Sequence, residues 1–248
     1  MATIGSNHAL LVFNQNYSSW SLRPLLFIKK NNLPIKIEPY NLADQSSASI
    51  VKAKLTTGLL PALSLTTATE GEVIVPDSLA ILETLGDLFP SVKVWPEDVI
   101  VRAKARSVAA EMHSGFGSIR NDMTCNLRAR YPSREWSPAT AGEIKKLSAL
   151  WQRVRAETLS RVGSGGKDDG WLFGEFSAAD AMYFPIVTRF LTYAVEIDAG
   201  EFPLAKEYAQ RVLKDETVRE MYKTAFEEEW VIPKYDNAYP GMRIEKLE

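Results

Sequence analysis

The sequence predicts a small α/β unit followed by an all-helical one. Two observations carry this. The first third alternates strand-like and helix-like patches, and beyond a polar stretch holding Trp95 and Pro96 every sustained pattern is helical. The expected boundaries are 1–90 for the α/β domain, 91–98 for the linker and 99–248 for the helical domain. A length of 248 residues accommodates this division, at roughly 100–200 residues per ordinary domain.

Ala9-Leu-Leu-Val-Phe13 is a short apolar run of the buried-strand kind. Polar residues 14–19 follow, and Ser21–Ile28 reads as a helix that Ser19 or Ser21 can cap, with Pro24 in the first turn. Asn31-Asn32 and Pro34 stop it. Ile35–Leu42 opens with apolar/charged alternation and reads as a half-buried strand. After a short helix, Ala62–Thr67 and Glu72–Val75 read as a hairpin turned at Glu70-Gly71. A helix opens at Asp77-Ser78 and carries Leu79, Ile81, Leu82, Leu85 and Leu88 on one stripe. In the second unit the expected helices are Val99–Arg120, Ala139–Val162, Ser177–Ala194, Pro203–Leu213 and Glu216–Glu228, with 121–138 irregular.

Composition narrows the chemistry. With 46% hydrophobic and 24% charged residues and a net charge of −2, the chain is an ordinary globular protein, and it has no basic footprint for nucleic acid or an anionic membrane surface. No apolar stretch approaches the ~18 residues of a membrane helix. The N-terminus lacks the features of a signal peptide, so a cytoplasmic location is expected. Asn16-Tyr17-Ser18 matches a glycosylation sequon that such a location leaves idle. Two histidines and a single cysteine, Cys125, cannot form a four-ligand zinc site, a CxxC pair or a disulfide. Sulfur chemistry here must use sulfur that the protein does not contribute, and no metal is expected.

Two features mimic functional motifs. Gly163-Ser-Gly-Gly-Lys167 lacks both the Walker spacing and a preceding strand, and reads as an interhelical loop. Glu227-Glu-Glu229 occupies adjacent helical positions pointing in different directions, and reads as a solvated helix end.

Three other features are more informative. Asn16-Tyr-Ser-Ser-Trp-Ser-Leu-Arg-Pro24 sets hydroxyls at a helix N-terminus, where free N–H groups and the dipole favour an anion. One cap needs one serine, which leaves another for a ligand. Gly58-Leu-Leu-Pro-Ala-Leu63 puts a proline just before a strand, either an ordinary edge position or a cis bond. Asp77-Ser78 is a helix cap that can also hold a zwitterionic head group. A fourth, Phe176-Ser-Ala-Ala-Asp180, is structural: Ser177 and Asp180 form a capping box.

In this order and spacing, Tyr17-Ser-Ser-Trp-Ser-Leu-Arg23, Leu60-Pro-Ala-Leu63, Asp77-Ser-Leu-Ala-Ile81 and Gly174-Glu-Phe-Ser-Ala-Ala-Asp180 resemble the cytosolic glutathione transferases over nearly the whole chain. The serine loop resembles the Ser-Ser-Cys-x-x-Arg signature of the zeta class, with Trp20 in place of its Cys. Glu111-Met-His-Ser-Gly-Phe116 and Asn126-Leu-Arg-Ala129 resemble a bacterial-type branch of serine transferases.

The resemblance implies a thioredoxin-like glutathione-binding domain, a helical-bundle domain and a site between them. It implies that Ser19 or Ser18 donates a hydrogen bond to the glutathione sulfur, stabilising the thiolate. Leu60, before a cis Pro61, would pair with the cysteinyl part, and Asp77 and Ser78 with the γ-glutamyl end. Met112, His113, Phe116 and Arg120 are expected around a small electrophile, with Arg128 a further candidate for an acidic one. The activity implied is a detoxifying glutathione transferase, with glutathione as co-substrate and a homodimeric state. The alternatives are a glutathione-dependent isomerase of maleylacetoacetate type and a non-catalytic glutathione- or ligand-binding protein. Trp20 excludes a mixed disulfide at that position, which argues against thiol transfer.

Overall fold

The computed structural model describes residues 8–55, 57–67, 70–163, 167–237 and 239. The chain begins with β1 (Ala9–Phe13), α1 (Ser19–Lys30), β2 (Lys36–Tyr40), α2 (Gln45–Lys54), β3 (Ala62–Thr67), β4 (Gly71–Pro76) and α3 (Ser78–Leu88). The strands form one mixed sheet in the order β2-β1-β3-β4. β1 and β2 are parallel, joined through α1, whereas β3 runs antiparallel to both β1 and β4. Leu10 and Val12 point into the main core with Leu22, Leu25 and Leu26 of α1, while Leu11 and Phe13 face the second core under Val51 of α2. This period-2 split of β1 is what a strand covered on both faces requires. Each of those fully buried leucines contributes on the order of 1.5–3 kcal/mol.

The helical half comprises α4 (Val99–Ser114), α5 (Gly117–Asp122), α6 (Pro138–Val162), α7 (Ala178–Thr192), α8 (Pro203–Leu213), α9 (Glu216–Glu227) and the short α10 (Pro233–Asp236). α7 is buried almost throughout and packs against α1, α4 and α8. The predicted capping box holds its start: Ser177 N–H and Oγ both donate to Asp180, which also accepts from Leu172 N–H. α1 contacts α3 on one side and α7 and α9 on the other, so its N-terminus sits where the sheet unit meets the helices.

Three expectations are corrected. The segment predicted as one helix from Val99 to Arg120 breaks after Ser114. Gly115 donates its N–H to Glu111 O, and a Cβ there would lie 2.7 Å from that oxygen. Phe116 then takes a left-handed conformation, φ 59°, which costs roughly 1–2 kcal/mol for a side-chain-bearing residue. Burial of its ring beside Tyr183, at 6.5 Å, offsets that cost. The apolar stripe runs through the break, so periodicity alone does not reveal it. Second, α1 starts at Ser19 rather than Ser21 and is capped by Ser18 rather than by Ser19 or Ser21, so Pro24 lies inside the helix and not in its first turn. Third, Glu228 is no solvated helix end. It is half-buried, and its Oε2 accepts from Gln15 N–H at 2.7 Å and Asn16 N–H at 3.3 Å. Part of Gly163–Lys167 lies outside the described residues.

Candidate functional site

The serines after β1 divide their labour. Ser18 caps α1: its Oγ accepts from Ser21 N–H at 3.3 Å and donates to Ser21 Oγ at 2.8 Å. Ser21 Oγ also takes the N–H of Phe13, 3.1 Å away, fastening the end of β1 to the first turn of α1. Both hydroxyls are thus committed to building the helix start. Ser19 is different. Its Oγ accepts a hydrogen bond from Arg189 Nη2 at 3.1 Å, and among the described residues no acceptor takes its own hydrogen.

A cleft of about 370 Å³ opens beside this helix start. It is lined by Trp20, Leu59, Leu60, Pro61, Asp77 and Ser78, among others. The Leu60–Pro61 peptide is cis, as the proline before a strand allows. Asp77 has φ 80°, and its Oδ1 accepts from Leu79 N–H at 2.8 Å and Ala80 N–H at 3.1 Å, capping α3. Its Oδ2 lies 2.6 Å from His113 Nε2. Burial works to raise the Asp77 carboxyl, but the His113 bond and the Ala80 N–H outweigh it and hold the group below the usual carboxylate range. Ser78 is buried, and its Oγ accepts from Arg23 Nη1 at 3.2 Å.

Positive charge gathers behind the cleft. The Arg23 guanidinium lies 4.1 Å from the Trp20 ring centroid and that of Arg120 5.4 Å, with the His113 ring set edge-on at 5.4 Å. Arg23 and Arg189 are buried, and among the described residues neither has a carboxylate within 4.0 Å. Burial, with Arg189 and Arg120 nearby, pulls Arg23 down to about 9, so it remains charged at neutral pH. Burial lowers Arg189 and Arg120 as well.

Leu60, Pro61, Asp77 and Ser78 therefore meet at one cleft, with His113 reaching it through Asp77. Met112 and Phe116 are buried in the core instead. Arg120 donates to the Gly115 and His113 carbonyls, securing the break between α4 and α5. Arg128 is spent elsewhere, on Tyr17 Oη, Glu228 O and Trp230 O. Asn16, of the sequon, is buried and bonded to Asn126. Sequence reasoning missed Trp20, Arg23 and Arg189 as parts of the site. Arg23 stood within the quoted motif, but nothing in the sequence around Arg189 on α7 marks a partner 170 residues away.

Comparison with known proteins identifies the fold. Residues 134–211 match the family described as Glutathione S-transferase, C-terminal domain. A glutathione transferase homologue from Burkholderia gl BGR1, solved with bound glutathione, is similar over 90% of this chain and 99% of its own, with a TM-score of 0.59 at 19% identity. Glutathione transferase Omega 2S from Trametes versicolor matches over 97% and 100%, with a TM-score of 0.64 at 18% identity. This is the glutathione transferase fold. Its sheet unit has the thioredoxin-like fold, and α6 to α8 span the residues that match the transferase C-terminal domain family. Among curated proteins, "Probable maleylacetoacetate isomerase" of Caenorhabditis elegans is 27% identical over 116 residues, 47% of this chain. The match spans about half the length of that relative, 52%. Among the described residues no helix of the transferase fold is long and apolar enough to cross a membrane, and no His/Cys/Asp/Glu cluster could hold a metal ion.

Proposed function

We propose that this protein is a glutathione transferase that binds glutathione in the Leu60–Ser78 cleft and activates its thiol for attack on a small electrophile. The observation that carries the reading is the convergence of Leu60, the cis Pro61, Asp77 and Ser78 on one cleft beside the serine-bearing start of α1. The backbone groups of Leu60, at the cleft wall before Pro61, suit the cysteinyl peptide of glutathione. Asp77 and Ser78, at a helix N-terminus, suit its γ-glutamyl ammonium and carboxylate.

A free thiol, with a pKa of ~8.5, is mostly protonated at neutral pH, whereas the thiolate is the nucleophile. Ser19 is the better donor to that sulfur, because the Ser18 proton already goes to Ser21. A hydroxyl hydrogen bond and the dipole of α1 both favour the anion, and the serine itself never ionises. The electrophile meets the sulfur on the Trp20 side, near His113 and Arg120. A homodimer in a reducing, cytoplasmic compartment and a detoxifying role accompany the reading.

A second reading, isomerisation of a maleylacetoacetate-like dicarboxylate, is favoured by the name of the nematode relative and by the arginines around Trp20. Three measurements separate the cases: retention on immobilised glutathione, conjugation of a chlorodinitrobenzene-type substrate, and isomerisation of maleylacetone. Conjugation without isomerisation supports the first reading, and isomerisation the second. Binding without either leaves a non-catalytic glutathione protein, and no binding at all overturns the proposal.

A further inference from the structure

We propose that Arg189, on α7, is the fixed cation behind Ser19 that holds the bound glutathione sulfur as its thiolate. The inference rests on the glutathione reading above and assigns a positioning role to a residue outside the cleft.

Arg189 is buried, with its fork aimed in set directions. Nε donates to Met123 O at 2.7 Å, Nη1 to Pro185 O at 3.0 Å and Nη2 to Ser19 Oγ at 3.1 Å. Each nitrogen of the fork thus has an acceptor, but none of these acceptors is charged. Among the described residues no carboxylate lies within 4.0 Å, and a buried cation without an anion is costly. The groups facing it do not supply one. Arg23 on α1 and Arg120 on α5 are themselves cations. Burial pushes the Tyr193 hydroxyl up, so it is neutral. The Cys125 thiol is also raised by burial, despite the pull of Arg189, and stays protonated. His113 and Asp77 are engaged with each other.

The missing anion is assigned to the Ser19 hydroxyl: Ser19 is itself buried and outside the cleft lining, but its neighbour Trp20 belongs to that lining. With Arg189 donating to its oxygen, the Ser19 hydroxyl is left with one hydrogen and, among the described residues, no acceptor for it. A thiolate accepting that hydrogen completes an Arg189–Ser19–sulfur chain in which each hydrogen bond strengthens the next. The thiol proton leaves to solvent, and neither Ser19 nor Arg189 gives one up. A fixed buried charge acting over a few ångströms is screened by salt much less than an exposed arginine would be.

The test is a pH titration of the ultraviolet thiolate absorbance of bound glutathione, with affinity measured separately by calorimetry. Arg189→Met should keep glutathione binding within a few-fold and raise the ionisation midpoint, leaving about tenfold less thiolate at neutral pH for each unit. Arg189→Lys should recover part of it, and Cys125→Ala should leave the midpoint unchanged. Where Arg189→Met does not fold, Arg189→Gln, which keeps hydrogen-bond donors but removes the charge, is read the same way. A variant that binds glutathione with an unshifted midpoint overturns the proposal. So does a wild-type midpoint equal to that of free glutathione. Failure of the wild type to bind glutathione instead overturns the reading beneath it.

Discussion

The Nε2 of His113 lies 2.6 Å from Oδ2 of Asp77, joining the last turn of α4 to the N-terminal cap of α3. The same carboxylate lines the cleft and bonds the first N–H groups of α3, so one side chain serves the helix, the contact with α4 and the cleft wall. Both partners are partly exposed, 31% for the His113 side chain and 41% for that of Asp77, which limits the pair to about 1 kcal/mol or less. Its larger effect is on orientation. His113→Asn should therefore raise the KM for glutathione about threefold to tenfold, as expected when one charge-assisted contact is loosened, with kcat and thermal stability little changed. A fall in kcat at unchanged KM would contradict this assignment.

Ser18 and Ser19 should separate by phenotype. Loss of the cap in Ser18→Ala should lower stability by about 1 kcal/mol in chemical denaturation, with turnover largely kept. Ser19→Ala should lower kcat/KM at least about tenfold while glutathione still binds. Equal, wild-type turnover in both variants would remove either serine from the chemistry.

Asp180 predicts a pH dependence of stability. Burial pushes its carboxyl up to about 6, although Leu172 N–H and the Ser177 N–H and hydroxyl pull the other way. The unfolded chain keeps the ordinary value of about 3.9. Between these values the folded state binds the proton more tightly, so this contribution is full below about pH 4 and is lost as the pH rises through about 6. Asp180→Asn cannot titrate. Relative to that variant, the wild type should lose stability from about pH 4 to about pH 6, at up to about 1.4 kcal/mol per unit, and level off above. A constant difference across that range would refute the assignment.

Arg128 holds the segment after α9 against the serine loop. Its guanidinium donates to Tyr17 Oη at 2.7 Å, and Tyr17 in turn donates to Asp236 Oδ2 at 2.6 Å. Arg128→Ala should cost about 2 kcal/mol of stability through these lost charge-assisted bonds, and should raise the protease sensitivity of residues 228–237. Unchanged proteolysis there would show that Glu228, on Gln15 and Asn16, suffices alone.

Much of the architecture was legible in the chain itself. The leucines of β1 and α1, the Asp77 cap, the Ser177–Asp180 box and the proline before β3 are local signals, because each depends on residues a few positions apart. Those same signals located Leu60, Pro61, Asp77 and Ser78. Local patterning failed where a distant partner decides the outcome. The helix break at Gly115-Phe116 depends on a left-handed Phe held by Tyr183, and Glu228 looked solvated until the fold set it on residues 15 and 16. The choice between Ser18 and Ser19 is of the same kind. The sequence offers Ser19 or Ser21 as the cap of α1, whereas the structure caps it with Ser18, sends the Ser18 proton to Ser21 and brings Arg189 from α7 to Ser19. The sequence determined that serine hydroxyls stand at a helix N-terminus; packing decided which one faces a buried charge, because electrostatics depends on distance through space and not along the chain.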